Sequence, residues 1–218
     1  DGKADAVVSA GNTGALFAMA YIVLRTINGI SRPAMTAYFP TKLGETAMLD
    51  LGANIECDAN NLVDFAIMGT AFSRIILKSK NPLVGLLNVG EETQKGNTIL
   101  QEASSILSKK NSPVNYHGFV EGNDIAEGNV DVIVTDGFSG NIALKTAEGT
   151  AKLVTHLLEK SFQSSIFSKI GYLFSRNALK TMKRRVDPRL YNGAVLLGLN
   201  GIVVKSHGGT DYIGFSNA

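Results

Sequence analysis

Short, uninterrupted apolar runs, each closed by a glycine-rich turn and followed by helical spacing, constrain this chain more than anything else in it. The runs are residues 6–9, 48–51, 84–89 and 131–135. Each leads into a turn: Ala10-Gly11-Asn12-Thr13-Gly14, Gly52-Ala53-Asn54, residues 90–97 ending Gly96-Asn97, and residues 136–141 ending Gly140-Asn141. Helical spacing follows over 15–27, 60–77, from 97 to about 109, and from 141 to about 159. A strand with one wet face alternates apolar and polar residues. These runs do not alternate, so both faces of each strand must be covered. The expected fold is α/β: a three-layer α/β/α arrangement around a mostly parallel sheet. Residues 36–39 and 195–205 add further strands. No internal repeat or low-complexity linker divides the 218 residues, so residues 1–218 are expected to form a single α/β catalytic domain.

Composition narrows the function. Apolar residues make up 44% and charged residues 18%, which excludes a disordered chain. Cys57 is the one cysteine, so no intrachain disulfide forms and a reducing compartment such as the cytoplasm is expected. A net charge of +2 argues against nucleic acid as a partner. The richest apolar run, residues 15–24, ends at Arg25 and falls short of the roughly 20 residues of a membrane span. The sequence opens on Asp with no basic-then-apolar leader. The expectation is a fragment lacking its N-terminal strand region.

In an open α/β sheet the loops at the carboxyl ends of strands converge on a crevice. Helix N-termini behind such loops favour anions, because their N–H groups are free and the helix dipole is positive there. Asn12, Asn97 and Asn141, each following a glycine, either cap helices or bind a ligand. No loop reads G-x-x-x-x-G-K-[ST] or G-x-G-x-x-G with a downstream acid, and there is no H-E-x-x-H. His117, His156 and His207 are far apart, so neither a metal nor any other cofactor is expected. Near the end stands Lys205-Ser206-His207-Gly208-Gly209-Thr210-Asp211. It is either a polar surface turn or a site in which imidazole and carboxylate stabilise developing charge. Cys57 lies between Glu56 and Asp58, which disfavour its thiolate, so it reads as a helix-entry residue rather than a nucleophile.

Residues 160–186 stand apart as a basic amphipathic helical insertion. They hold Lys160, Lys169, Arg176, Lys180, Lys183, Arg184 and Arg185 and no acidic residue. Ile166, Phe167, Ile170, Leu173 and Phe174 form an apolar face at helical spacing. The expected use is membrane contact; the other reading is a contact with a partner subunit.

Five segments resemble one family in order. They are residues 4–15, Leu49-Asp50-Leu51-Gly52-Ala53-Asn54, residues 86–97, Asp136-Gly137-Phe138-Ser139-Gly140-Asn141, and residues 197–208. Together they look like the bacterial phosphate acyltransferase PlsX family. The family's N-terminal D-A-M-G-G-D motif is absent, and its last helix is expected to be clipped. The resemblance implies a fold shared with phosphate acetyltransferase and isopropylmalate dehydrogenase. It also implies transfer of a fatty acyl group from acyl carrier protein to inorganic phosphate, giving acyl phosphate for phospholipid synthesis. It implies a homodimer, cytoplasmic and peripheral at the membrane, where a downstream membrane acyltransferase takes the product. On the family's pattern His207, Asp211 and Lys205 are the catalytic candidates. Asn12, Thr13, Gly14, Asn54, Lys95, Asn97, Gly140, Asn141, Lys145, Asn200 and Gly208 are the phosphate- or substrate-binding candidates. Related phosphate acetyltransferases carry Ser-Arg-Gly where this chain has Ser206-His207-Gly208. Rival readings are a phosphate acyltransferase using short-chain coenzyme A thioesters, a metal-dependent decarboxylating dehydrogenase whose acidic cluster is missing here, and a non-catalytic membrane-docking module.

Overall fold

The computed structural model describes residues 2–185, 187 and 189–218. Its strands are β1 (Ala6–Ser9), β2 (Ala34–Pro40), β3 (Glu45–Leu49), β4 (Leu83–Leu87), β5 (Asn115–Val120), β6 (Val132–Val134), β7 (Ala194–Leu197) and β8 (Ile202–Lys205). Its helices are α1 (Thr13–Leu24), α2 (Ala59–Phe72), α3 (Thr98–Leu107), α4 (Gly137–Gln163), α5 (Ile166–Arg185) and α6 (Tyr212–Asn217). Among the described residues the strands form one sheet in the order β1-β8-β7-β2-β3-β6-β4-β5.

The sheet is mostly parallel. The pairs β1/β8, β3/β6, β6/β4 and β4/β5 are parallel, whereas β8/β7, β7/β2 and β2/β3 are antiparallel. Three successive reversals leave β1 and β8 running opposite to β3, β6, β4 and β5. The loops leaving β1 and β8 therefore lie at one end of the sheet, and those leaving β3, β6 and β4 at the other.

Two apolar layers cover the sheet. On one face Leu62, Phe65 and Ala66 of α2 and Ala103 and Leu107 of α3 pack on Leu49, Leu86, Val132 and Val134. On the other, Leu16, Phe17 and Ala20 of α1 and Ala143 and Leu144 of α4 belong to the layer built around Met48, Ile133 and Val203. Val132, Ile133 and Val134 are all fully buried, as an unbroken apolar run requires. Gly69 brings α2 close to the sheet: a Cβ there would sit 2.6 Å from Val132 and 2.9 Å from Leu49.

Several elements differ from the sequence reading. β5 was not expected. Its residues Asn115, Tyr116, His117 and Gly118 are polar or small because it is the outermost strand on its side. Residues 195–205 are not one strand but the antiparallel pair β7 and β8 around a turn. The helix expected over 60–77 ends at Phe72 and passes into a wider π-type turn over Ser73–Leu77. α4 runs to Gln163, so residues 160–186 are not one helix. Their first turn closes α4, Ser164 and Ser165 form a bend, and α5 carries the rest; Val186 lies outside the described residues. α5 lies against the end of α4, with Phe162 and Tyr172 edge to face at 5.5 Å and Lys183 paired with Glu159 at 3.3 Å.

Candidate active site

At the end of the sheet where β1 and β8 finish, Ser9 and Lys205 are register partners, and the Ser206 N–H donates to the Ser9 carbonyl at 2.9 Å. Gly208 follows, with space for its missing Cβ only 3.3 Å from the Ala10 carbonyl oxygen. This packs the Lys205–Asp211 loop against the turn that starts α1. Asn12 is the N-cap of α1: its side chain accepts from the Ala15 N–H at 3.0 Å. The Thr13 and Gly14 N–H groups fall in the helix's first turn, where no intrahelical acceptor exists.

Lys205 is half-buried, and its Nζ donates to the Ser206 carbonyl. Its pKa is lowered, first by burial and then by the ammonium of Lys145. Lys145 also pairs with Glu148 at 2.8 Å. His207 is exposed; its N–H donates to Asn192 Oδ1 at 2.8 Å, and its Nδ1 accepts from the Gly209 N–H at 3.1 Å.

Asp211, expected beside His207 as a charge partner, is occupied elsewhere. It caps α6 by accepting from the Gly214 N–H at 3.0 Å, and pairs with Arg189 at 3.0 Å. Both hold its carboxyl below the usual range, the cap being the larger cause. No described hydrogen bond joins it to His207.

Gly140 and Asn141 belong to the opposite end of the sheet, in the first turn of α4. A Cβ on Gly140 would sit 1.9 Å from the Asp50 carbonyl oxygen, so only glycine lets the helix start against the turn after β3. The Gly137 N–H donates to the Asn54 carbonyl at 2.7 Å, and Asn141 lies 3.4 Å from the Cβ position of Gly52. Asn54 is buried, its amide spent on Pro33 O and Asp50 Oδ2, each at 2.8 Å. Lys145 is one helical turn beyond Asn141 and on the same side of α4.

Three sequence candidates are not brought to this group. Lys95 is paired with Glu92 at 2.9 Å in the turn after β4. Asn97 caps α3 by accepting from the Leu100 N–H at 2.9 Å. Asn200, in the turn before β8, points its amide at the Leu24, Arg25 and Thr26 carbonyls, closing the C-terminus of α1.

Sequence reasoning passed over Asp50, Asn192 and Arg189. The Asp50 carboxylate is fully buried and accepts from the Met35, Ala53 and Asn54 N–H groups at 2.9, 3.1 and 2.6 Å. Burial raises its pKa against those donors. Its signal was an aspartate closing an apolar strand. Asn192 and Arg189 sit in a stretch with no pattern. Cys57 is half-buried with its thiol pushed up to about 12, by burial first and then by Asp50 and Asp136 rather than by its chain neighbours. No group of three or more His, Cys, Asp or Glu that would hold a metal occurs among the described residues. A cavity of about 470 Å³ lies away from this site, between α3 and β5.

A family model described as "Fatty acid synthesis protein" matches residues 1–218. The phosphate acyltransferase of Rhodospirillum centenum is 62% identical over 217 residues, covering 100% of this chain and 61% of that protein. That of Paramagnetospirillum magneticum is 58% identical over 217 residues, covering 100% and 62%. The chain thus spans about three fifths of the length of these curated relatives. A phosphotransacetylase from Streptococcus pyogenes superposes with a TM-score of 0.64 at 19% identity, over 99% of this chain and 61% of that one. A branched-chain phosphotransacylase from Enterococcus faecalis V583 gives 0.60 at 13%, over 100% and 72%. At such identities the likeness is one of fold, and it is the phosphate acetyltransferase-like fold that the resemblance implied. With its glycine-rich loops and its whole length matched, the chain belongs to the fatty acid synthesis protein family.

Proposed function

We propose that this chain carries the phosphate-binding part of an enzyme that transfers a fatty acyl group from acyl carrier protein to inorganic phosphate. The observation that carries the reading is the packing of the Lys205–Asp211 loop against the turn that starts α1, where the Ser206 N–H donates to the Ser9 carbonyl at 2.9 Å. The free N–H groups of a helix start favour an anion, and the Lys205 ammonium on the adjoining strand end favours the same one. The names of the relatives supply the reaction type. The chemistry needs no covalent enzyme intermediate. A phosphate oxygen attacks the thioester carbon and forms a C–O bond. The C–S bond breaks, and the phosphate proton passes to the sulfur as the carrier thiol leaves. The protein's task is to hold the anion against the carbonyl and to stabilise the oxyanion.

In this scheme Lys205, Lys145, Thr13, Gly14 and Gly208 hold phosphate, with Asn12 shaping the turn, and Gly140 and Asn141 extend the site along α4. His207 faces the carbonyl. Asp211 acts through the loop it caps. The partners are acyl carrier protein, a second copy of the chain, and a membrane surface reached through α5, where a downstream acyltransferase would take the acyl phosphate. No helix among the described residues is long and apolar enough to cross a membrane. The exposure of Ile166, Phe167, Leu173 and Phe174, from 68% to 86%, is what supports surface contact.

The test is incubation of the protein, extended to the length of its relatives, with long-chain acyl carrier protein and phosphate. Free carrier thiol and hydroxylamine-trapped acyl phosphate should appear together and only with phosphate present. Turnover of coenzyme A thioesters in preference to the carrier would reassign the donor. No product with either would overturn the reading.

A further inference from the structure

We propose that Asn192 is the positioning residue for His207, and that the pair presents a neutral imidazole whose Nε2–H donates to the thioester carbonyl oxygen. This rests on the acyl-transfer reading and assigns His207 one of the two roles open to it, donor rather than base.

The placement begins with strand register. β7 and β8 are antiparallel with Ala194 opposite Lys205. Continuing that register two residues puts Asn192 opposite His207. There Asn192 uses every polar atom of its side chain. Oδ1 accepts from the His207 N–H at 2.8 Å, and Nδ2 donates to Ser206 Oγ at 2.8 Å and to the Gly214 carbonyl at 2.7 Å. One amide therefore fixes the chain on the N-terminal side of the His207 Cα and ties it to α6. Ser206 is fully buried, so the fixed point is in the interior, and the exposed imidazole projects from it.

The tautomer follows from Gly209. A backbone N–H only donates, and here it donates to Nδ1 at 3.1 Å. The lone pair of Nδ1 is therefore engaged, and the ring proton of a neutral imidazole belongs on Nε2. The opposite tautomer would set Nδ1–H against the Gly209 N–H. A base acting through Nε2 requires that opposite tautomer; a donor acting through Nε2 requires the one the loop enforces. Phosphate, already anionic, needs no base, whereas the carbonyl oxygen gains charge as the C–O bond forms.

Two measurements test this. In the chain labelled with ¹⁵N at histidine, the His207 shifts at neutral pH should show the Nε2–H tautomer in the wild type and a mixture in Asn192→Ala. This arm needs no turnover, so it stands or falls separately from the acyl-transfer reading. In the extended protein, Asn192→Ala should lower kcat at least about tenfold, with the phosphate KM within about twofold. Asn192→Asp keeps the acceptor for the His207 N–H but sets a carboxylate oxygen against the Gly214 carbonyl, so it should recover only part of kcat. In a His207→Ala background, Asn192→Ala should cost less than about twofold, because its effect runs through His207. An Nδ1–H tautomer in the wild type, or equal losses from Asn192→Ala with and without His207, would overturn the proposal.

Discussion

Cys57 shows how one residue's surroundings decide its chemistry. Thioesters exchange readily with thiolates, so under the proposed acyl transfer a lone cysteine invites a two-step route. Its thiol is pushed up to about 12 by burial and by Asp50 and Asp136, so almost none of it is thiolate near neutral pH. Cys57→Ser should leave turnover within about twofold, because the neutral thiol is no nucleophile. A trapped acyl-Cys57 species, detected by mass spectrometry on the intact chain, would contradict this. The cysteine's inertness was legible from the acidic residues beside it, although the carboxylates that act on it come from elsewhere in the chain. Asn12 and Asn97 were legible in the same partial way: an asparagine after a turn glycine marks a helix start, and both are caps. The amide of Asn200 closes a helix 174 to 176 residues away, and nothing local to it announces that contact.

Elements were easiest to read where burial is complete and hardest at the margins. β6 and α2 follow from unbroken apolar runs and helical spacing, while β5 escaped because an outermost strand needs no apolar run. The start of α4 depends on one missing side chain. With 1.9 Å to the Asp50 carbonyl oxygen, Gly140→Ala must push α4 off the turn after β3. It should destabilise the protein by about 1–3 kcal/mol, the usual cost of overpacking, read as a lower denaturant midpoint. An unchanged midpoint would mean that α4 starts elsewhere in solution. α5 makes a different demand. None of its described residues is buried, and Phe167 and Phe174 are each 86% exposed. Arg184 and Arg185, near its end, would each add about 1 kcal/mol beside anionic lipid. Ile166→Glu with Ile170→Glu should abolish co-sedimentation with anionic vesicles at low salt. Unchanged binding of the double variant would remove α5 from the membrane contact.

At the scale of the whole molecule, the feature that local patterns did not carry is strand direction. Each glycine-rich loop does follow its strand, but three antiparallel pairings turn β1 and β8 against β3, β6 and β4, so the loops gather at two ends instead of one. α4 starts on the turn after β3 and packs on the sheet face that α1 also covers. Direction is set by pairing between segments distant in sequence, which is why apolar runs revealed the strands but not where their loops would meet. The central claim is that the junction of the Lys205–Asp211 loop with the start of α1 holds phosphate. The most direct test is the phosphate dependence of acyl transfer in Lys205→Gln. Losing one charge-assisted contact of about 1.5–3 kcal/mol should raise the phosphate KM by about ten- to hundredfold while the KM for the acyl donor stays within about twofold. A phosphate KM equal to that of the wild type, or a loss confined to the acyl donor, would contradict it.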